Sequence, residues 1–153
     1  MKRDPALMPL THDHHHALVQ ARRLRRAAAG EDVARTAAVR EFIAFFDADT
    51  VNHFREEEEL LLPLIVEAAG SVPPVVERVL ADHVELHTAL LRLRRGLPSG
   101  RAEPEPMHEV ARLLEAHIRL EERDLFPLAE ATVPPSALAG LTFAPRHREP
   151  PPG

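Results

Sequence analysis

The chain of 153 residues is long enough for one domain with a hydrophobic core, and its formal net charge of −5 argues against nucleic acid as a partner. It contains no cysteine, which excludes disulfide bonds, thiolate metal ligands and a cysteine nucleophile. No apolar run approaches the roughly 20 residues of a membrane span and no signal peptide is apparent, so the sequence predicts a cytoplasmic protein without a membrane partner.

The first two predicted helices lead to a histidine and a glutamate on an inner face. The first helix runs from about residue 11 to 29 and ends at Gly30, a typical C-terminal glycine. The second begins near Asp32, a suitable N-cap, and extends beyond His53 because apolar residues recur at steps of three and four. These apolar residues are Val39, Phe42, Ile43, Phe46, Leu60, Leu61 and Leu64. The same steps place His53 and Glu57 on the face that points to the core.

The third predicted helix also carries histidines on its apolar face. Residues 70–74 interrupt the preceding helix, and a proline is well tolerated in the first turn of the next one. The third helix then runs from about residue 75 to 95. Its apolar face consists of Val76, Val79, Leu80, Leu86, Leu90 and Leu91. His83 and His87 lie on this face.

The fourth predicted helix begins near Pro106, after a connection rich in glycine and proline. Its inner face carries Val110, Leu114, Leu125 and Leu128. His117 and Glu121 lie between these apolar positions. Four long helices with short connections predict an all-α, up-down-up-down four-helix bundle over residues 1–134. Residues 135–153 are predicted to form a short helical turn and a proline-rich tail.

One sequence phrase occurs in both the second and the fourth predicted helix. In residues 53–63 and again in residues 117–127, a glutamate follows a histidine by four residues and a proline follows it by ten. A spacing of four places the two side chains on one helix face, about 5–6 Å apart. Residues 15–18 also resemble residues 87–90. The repeat therefore predicts two similar halves that face each other across the core.

Inward carboxylates and imidazoles in one core indicate a metal site. An unpaired buried carboxylate costs several kcal/mol, whereas a single inward histidine usually finds a hydrogen bond. Here the inward residues come from every helix and lie at similar levels along the axis of the bundle. Imidazole and carboxylate donors favour Fe, Zn or Mn over Ca or Mg. Two carboxylates with five imidazoles suffice for two ions.

The first helix offers two candidates for the fifth imidazole. His14 shares a helix face with apolar residues on either side of it in the sequence, chiefly Leu10 and Ala17. The internal repeat instead aligns His15 with His87. Both histidines are candidates at this point. The histidines with polar or irregular neighbours are assigned to solvent: His12, His16, His108 and His147.

Together, these motifs resemble the hemerythrin-like (HHE cation-binding) domain family. The resemblance covers about residues 7–132. It rests on residues 11–18, 53–63, 82–90 and 117–127. It implies a four-helix bundle with a non-haem di-iron centre inside it.

The resemblance also implies which residues hold the two iron ions. Glu57 and Glu121 would bridge them, together with an oxo or hydroxo group. One ion would take the three histidines His83, His87 and His117. The other would take His53 with either His14 or His15, which leaves one open position for O2, NO or peroxide.

The chain departs from the oxygen-carrying members of that family at one bridging position. Those proteins have an aspartate five residues after the histidine of the last helix. Here Glu121 follows His117 by four residues and Glu122 follows it by five. Glu58 is a similar spare carboxylate beside Glu57. Reversible O2 carriage therefore does not transfer directly to this chain.

The expected function is binding of O2, NO or a related small molecule for sensing, carriage, or iron and oxygen homeostasis. The alternative is a di-iron enzyme that reduces peroxide or NO, or donates iron for cluster repair. A single tetrahedral zinc would leave histidines in surplus. Signalling would require a separate partner protein. The open position is expected beside an apolar pocket lined by Leu18, Phe46 and Leu60, with Phe42 further away.

Overall fold

The structure is a computed structural model that describes residues 2–144. A short 3-10 turn, Pro5–Leu7, precedes the first helix. The helices in chain order are α1 (Met8–Ala27), α2 (Asp32–Phe45), α3 (Val51–Glu56), α4 (Leu62–Ala69), α5 (Pro74–Arg94), α6 (Pro104–Leu120), α7 (Phe126–Thr132) and α8 (Pro135–Ala139). Helices α2 to α4 form one continuous second long helix, and α6 with α7 forms the fourth. The described residues contain no strand.

The four long helices form an up-down-up-down bundle. Helix α1 packs against α2 and α6, and α5 packs against the same two neighbours. Each long helix therefore lies between the helices that precede and follow it around the bundle. The predicted all-α four-helix bundle is confirmed. No helix in the described part of the chain is long and apolar enough to cross a membrane.

Two hydrophobic clusters fill the bundle and leave a polar layer between them. The first contains Phe42, Phe46, Leu86 and Leu114, among others. The second contains Leu10, Leu61, Val79, Leu125 and Phe126, among others. Burial of each large apolar side chain stabilises the fold by about 1.5–3 kcal/mol. On every long helix, the inward histidines and glutamates lie between residues of the first cluster and residues of the second.

The second and fourth long helices contain π-helical turns, at Phe46–Thr50, Glu57–Leu61 and Glu121–Leu125. The last two each end two residues before a proline, Pro63 or Pro127. Proline lacks an N–H and its ring clashes with the carbonyl four residues earlier, so a widened turn accommodates it.

The extra residue in the π-helical turn Glu57–Leu61 changes which leucine faces the core. Leu61 is fully buried, whereas Leu60 is 37% exposed. The prediction that Leu60 lies on the inner face was therefore wrong. Leu80 and Leu91 are also exposed, because the neighbouring apolar residues of α5 already fill its inner face.

The start of α2 also differs from the predicted start. Glu31 is the N-cap residue, and no side chain caps the helix there. Asp32 is the first helical residue, and its carboxylate accepts a hydrogen bond from the Arg35 guanidinium. Asp32 therefore pairs with a side chain of the first helical turn and is not the predicted N-cap. At the far end of the second long helix, Gly70 has a φ of 72°, a left-handed conformation that glycine adopts without strain.

Residues 135–144 pack against the bundle. Helix α8 contacts the Pro5–Leu7 turn, and Leu138 is buried in the second hydrophobic cluster. The backbone N–H of Ala144 donates to Glu56 Oε2 over 2.7 Å. The predicted helical turn is therefore a packed part of the fold. The rest of the predicted proline-rich tail lies outside the described residues.

Candidate metal centre

Six side chains meet in the polar layer between the two hydrophobic clusters. They are His14, His53, Glu57, His83, His117 and Glu121, and none is more than 5% exposed. They form two groups of four donors, and within each group the ligand atoms lie within 4.8 Å of one another. The first group contains His14 and His53, and the second contains His83 and His117. Glu57 and Glu121 belong to both groups.

Glu57 places one carboxylate oxygen in each group. Its Oε1 lies 2.9 Å from His53 Nε2, and its Oε2 lies 3.3 Å from His83 Nε2. The two oxygens therefore face opposite halves of the site. A carboxylate in this position is arranged to bridge two cations.

Glu121 has the same arrangement from the opposite side of the bundle. Its Oε2 lies 2.8 Å from His14 Nε2, and its Oε1 lies 2.7 Å from His117 Nε2. Each group thus has two imidazole nitrogens and one oxygen from each glutamate. The protein donors of the two groups are equivalent in number and type.

Two aspartates contact histidine rings at the nitrogen that points away from the two shared glutamates. Asp13 Oδ2 lies 2.9 Å from His53 Nδ1, and Asp82 Oδ2 lies 3.3 Å from His117 Nδ1. An ionised carboxylate only accepts hydrogen bonds, so each Nδ1–H donates to it. The other ring nitrogen, Nε2, then faces the glutamates. Outer partners of this kind orient metal-bound imidazoles and increase their basicity.

Two glutamates hold the other two histidine rings. Glu122 Oε1 lies 2.7 Å from His14 Nδ1, and Glu58 Oε1 lies 2.7 Å from His83 Nδ1. The hydroxyl of Thr11 donates to the same oxygen of Glu122 over 2.8 Å, which fixes that carboxylate further. Glu58 and Glu122, which were expected to be spare carboxylates, are therefore the outer partners of two rings.

The site has the approximate two-fold symmetry of an internal repeat. An Asp-His pair occurs at residues 13–14 on α1 and at residues 82–83 on α5, and nowhere else in the chain. Asp13 contacts His53 of the second long helix, and Asp82 contacts His117 of the fourth. The histidine of each Asp-His pair contacts an outer glutamate of the long helix before it around the bundle: His14 contacts Glu122, and His83 contacts Glu58. The predicted alignment of residues 15–18 with 87–90 was wrong, because it aligns His15 with His87, which are both exposed and outside the site. The repeated Asp-His dipeptide was the signal for the correct register.

His87 lies one turn beyond His83 on α5 and outside both donor groups. It is exposed, and its ring lies nearly perpendicular to the rings of Phe46 and Phe54, at centroid distances of 5.7 Å and 5.9 Å. Phe54 in turn stacks on the ring of His83 at 3.8 Å. His87 therefore packs on the outer side of this aromatic pair.

The first helix contributes one histidine to the site. His14 lies in the first donor group, whereas His15 is exposed and belongs to neither group. His12, His16 and His108 are exposed as well. The remaining histidine that was assigned to solvent, His147, lies outside the described residues.

Several donor atoms of the site have no hydrogen-bond partner among the described residues. They are Nε2 of His53, His83 and His117, both oxygens of Glu57, and Oε1 of Glu121. These atoms lie close to one another without forming hydrogen bonds. Each buried polar group without a partner costs about 1–3 kcal/mol, and more when it is charged. First-row cations with mixed nitrogen and oxygen ligands would satisfy these atoms, so the donor set fits a metal centre.

In the metal-free protein, the pKa values of the four inward histidines are raised, which favours their protonated forms. Burial alone would lower the pKa of His117, but the charge of Glu121 and the hydrogen bond to Asp82 raise it to about 10. Burial likewise opposes protonation of His83, whereas Glu121 and Glu57 raise its pKa to about 9. Cations in the site would replace these protons, as metal binding to histidine requires.

A cavity of about 20 Å³ adjoins the first donor group. Its wall consists of Asp13, His14, His16, Ala17, Phe45, Asp49, Thr50, His53, Phe54, Leu114, His117 and Ile118. A space of this size holds one water-sized molecule. It touches both histidines of the first group but only one histidine of the second.

The residues that line the cavity differ from those predicted to line an apolar pocket. Leu18, Phe46 and Leu60 do not line it, so that prediction was wrong. The π-helical turn that begins at Phe46 places Phe45 and Thr50 at the cavity wall instead, while Phe46 packs in the first hydrophobic cluster. The wall of the cavity is mainly apolar, as predicted, although other residues form it.

The sequence matches the family model described as the hemerythrin HHE cation binding domain over residues 8–129. The matched range begins with α1, ends within α7 and includes all six donors of the buried site. No curated protein and no solved structure matches the chain.

Proposed function

The chain belongs to the hemerythrin HHE cation-binding domain family, and we propose that it binds two iron ions and, through them, a small molecule such as O2 or NO. The family and the buried histidine and glutamate groups support metal binding. A cytoplasmic location and a separate signalling partner stay predictions.

The shared glutamates favour two ions over one. His14 and His53 would hold one ion, and His83 and His117 would hold the other. Each group also has one oxygen from Glu57 and one from Glu121. Two-metal sites typically separate their ions by about 3.5–4 Å, and bridging carboxylates suit that spacing.

Iron fits this donor set better than zinc. Two imidazoles and two carboxylate oxygens already complete the tetrahedral coordination that structural zinc prefers. Iron in carboxylate-bridged helical bundles uses the same residue types and keeps further positions for a solvent-derived bridge or a ligand. Four protein donors per ion therefore leave room for chemistry only if the metal accepts more than four ligands.

The observation that carries the ligand-binding proposal is the cavity of about 20 Å³ beside the first donor group. An iron pair, when bound, supplies reversible electron transfer to a small molecule such as O2 or NO. The protein supplies a space for one such molecule, with Ala17, Leu114 and Ile118 excluding further water. Because both groups have the same protein donors, the cavity decides which half receives the ligand, and it favours the half held by His14 and His53.

The test is reconstitution with ferrous iron, followed by metal analysis and spectroscopy. We expect two iron ions per chain with magnetic coupling between them. The anaerobically reduced protein should change its optical spectrum on exposure to air, and the oxidised protein should bind azide. One tightly held ion per chain, or two ions without spin coupling, would contradict the proposal.

Reduction of peroxide or NO is a second candidate, favoured by two ionisable residues among those that line the cavity. Asp49 and His16 lie there beside the apolar residues. Reduction of peroxide to two waters consumes two electrons and two protons, and side chains that exchange protons with solvent suit that chemistry. Steady consumption of peroxide with an added electron donor would indicate an enzyme, whereas a stable oxygenated spectrum would indicate a binding protein.

A further inference from the structure

Thr50 is one of the residues that line the cavity, and its side-chain hydroxyl is buried. The residue is 5% exposed, and it lines the same cavity as His14 and His53. Its Oγ1 has no hydrogen-bond partner among the described residues. A buried hydroxyl without a hydrogen-bond partner lowers the stability of the folded protein. A molecule that enters the cavity beside the metal centre could supply this partner.

Other threonines of the chain show how helices usually satisfy this hydroxyl. Thr88 donates to the carbonyl of Val84 over 2.9 Å, and Thr132 donates to the carbonyl of Leu128 over 2.7 Å. Both use the carbonyl four residues earlier in their own helix. For Thr50 the corresponding carbonyl is that of Phe46.

In the π-helical turn Phe46–Thr50, the carbonyl of Phe46 accepts a backbone hydrogen bond from a residue further along the chain than in an α-helix. The backbone N–H of Val51 donates to the carbonyl of Phe46. This backbone hydrogen bond spans five residues, one more than in an α-helix, and the turn is therefore wider. The Thr50 hydroxyl makes no hydrogen bond to its own helix. Thr50 precedes His53 by three residues in the sequence, and both residues line the cavity.

We infer that the Thr50 hydroxyl donates a hydrogen bond to the small molecule that binds in the cavity, and thereby favours ligands whose outer atom carries negative charge. This inference rests on the proposed function, because it requires a ligand at the first donor group. Hydrogen bonds to charged acceptors are stronger than those between neutral groups. Azide, a small anionic metal ligand, is therefore a suitable probe.

The test compares Thr50→Val with Thr50→Ser in the oxidised, iron-loaded protein. Valine keeps the shape of threonine without the hydroxyl, and serine keeps the hydroxyl. We expect azide to bind about tenfold more weakly to Thr50→Val, while Thr50→Ser retains most of the affinity. The infrared stretch of bound azide should shift in deuterated solvent in the wild type and in Thr50→Ser, but not in Thr50→Val.

A metal-free measurement provides the matched control. Thr36 is also 5% exposed, but its hydroxyl donates to the carbonyl of Gly100 over 3.0 Å. Metal-free Thr36→Val should therefore melt at a lower temperature than the wild type, whereas metal-free Thr50→Val should not. Destabilisation of Thr50→Val as large as that of Thr36→Val would show a protein partner for the hydroxyl and overturn the inference.

The two failures are distinguishable. If wild type and Thr50→Val bind azide equally while both irons stay in place, only the inference about Thr50 is overturned. If the iron-loaded wild type binds no azide at all, both the inference and the proposed function are wrong.

Discussion

Asp13 on α1 holds His53 of the second long helix through a contact of 2.9 Å between Oδ2 and Nδ1. Both residues are buried. The carboxylate fixes the ring so that the opposite nitrogen, Nε2, faces Glu57. Asp13 thus affects the metal site without being one of its six donors. The first helix contributes to the site twice, through His14 as a donor and through Asp13 as an orienting group.

Asp13→Asn should weaken metal binding and leave the bundle folded. Asparagine retains an acceptor for the Nδ1–H but lacks the charge that increases the basicity of His53. Loss of such an outer partner typically costs about 10–100-fold in metal affinity, which competition with a chelator measures. The symmetry-related Asp82→Asn should have a similar effect, and Asp124→Asn, at an exposed position, should have none. Equal affinities for Asp13→Asn and Asp124→Asn would refute the orienting role.

Glu57→Ala should lose at least one iron ion and melt at a lower temperature than the iron-loaded wild type. The substitution removes one oxygen from each donor group at once, and metal binding contributes directly to the stability of the folded state. Glu121→Ala should behave alike. Glu59→Ala removes an exposed carboxylate on the same helix. It should change neither the iron content nor the melting temperature appreciably. Elemental analysis and thermal melts check both results, and coincident melts of Glu57→Ala and wild type would contradict the bridging role.

The stability of the metal-free protein should fall as pH rises above neutrality. The pKa values of His83 and His117 in the folded state, about 9 and about 10, lie above the unfolded value of 6.5. Their stabilising contribution is therefore fully present below pH 6.5 and is lost as pH rises through the two folded values. Thermal melts of the chelator-treated protein over that range check this prediction.

The iron-loaded protein is the control for this pH dependence. Its histidines are neutral ligands, so they have no proton to lose as pH rises. We expect its melting temperature to lack the fall seen without metal, and metal affinity to increase with pH because protons compete for the same nitrogens. A melting temperature of the metal-free protein that stays constant up to pH 10 would count against protonated histidines in the site.

The long-range features of the fold were predictable because they depend on periodicity. Apolar residues at steps of three and four gave the four helices, and the repeated His-x-x-x-Glu phrase gave four of the six donors: His53, Glu57, His117 and Glu121. These residues lie on the inner face of any α-helix that buries the neighbouring apolar positions. The inward direction of His83 followed from the same steps.

The local departures from an ideal α-helix were not predictable from the same steps. A π-helical turn shifts every later residue around the helix, so Leu61 faces the core and Leu60 does not. The outer carboxylates were missed for a different reason. Asp82 and Glu58 contact histidines on neighbouring helices, and spacing within one helix carries no information about such contacts.

Ala17→Val should block the cavity without removing metal. Ala17 lines the cavity of about 20 Å³, and two added methyl groups would occupy much of that space. We expect weaker azide binding at unchanged iron content. Ala21→Val provides the control one turn further along α1, because Ala21 is fully buried but does not line the cavity. It should destabilise the core through overpacking by about 1–3 kcal/mol without a specific loss of azide affinity. Unchanged azide binding in Ala17→Val would place the ligand elsewhere.

His87→Ala tests the largest difference between the sequence-derived ligand set and the structure. The resemblance implies that His87 is an iron ligand beside His83, whereas the structure places it outside both donor groups, in contact with the rings of Phe46 and Phe54. We therefore expect His87→Ala to keep both iron ions and the azide affinity of the wild type. The lost aromatic contacts should cost about 0.5–1.5 kcal/mol of folding stability.

His83→Ala is the matched control on the same helix. His83 Nε2 lies 3.3 Å from Glu57 Oε2 in the second donor group, and its Nδ1 contacts Glu58. Its loss should remove the ion that it shares with His117 and leave the ion of the first group in place. Iron content and spin coupling measured on both variants separate the alternatives. If His87→Ala loses iron as His83→Ala does, His87 turns inward when metal binds, and the second group has three histidines, as the sequence analysis predicted.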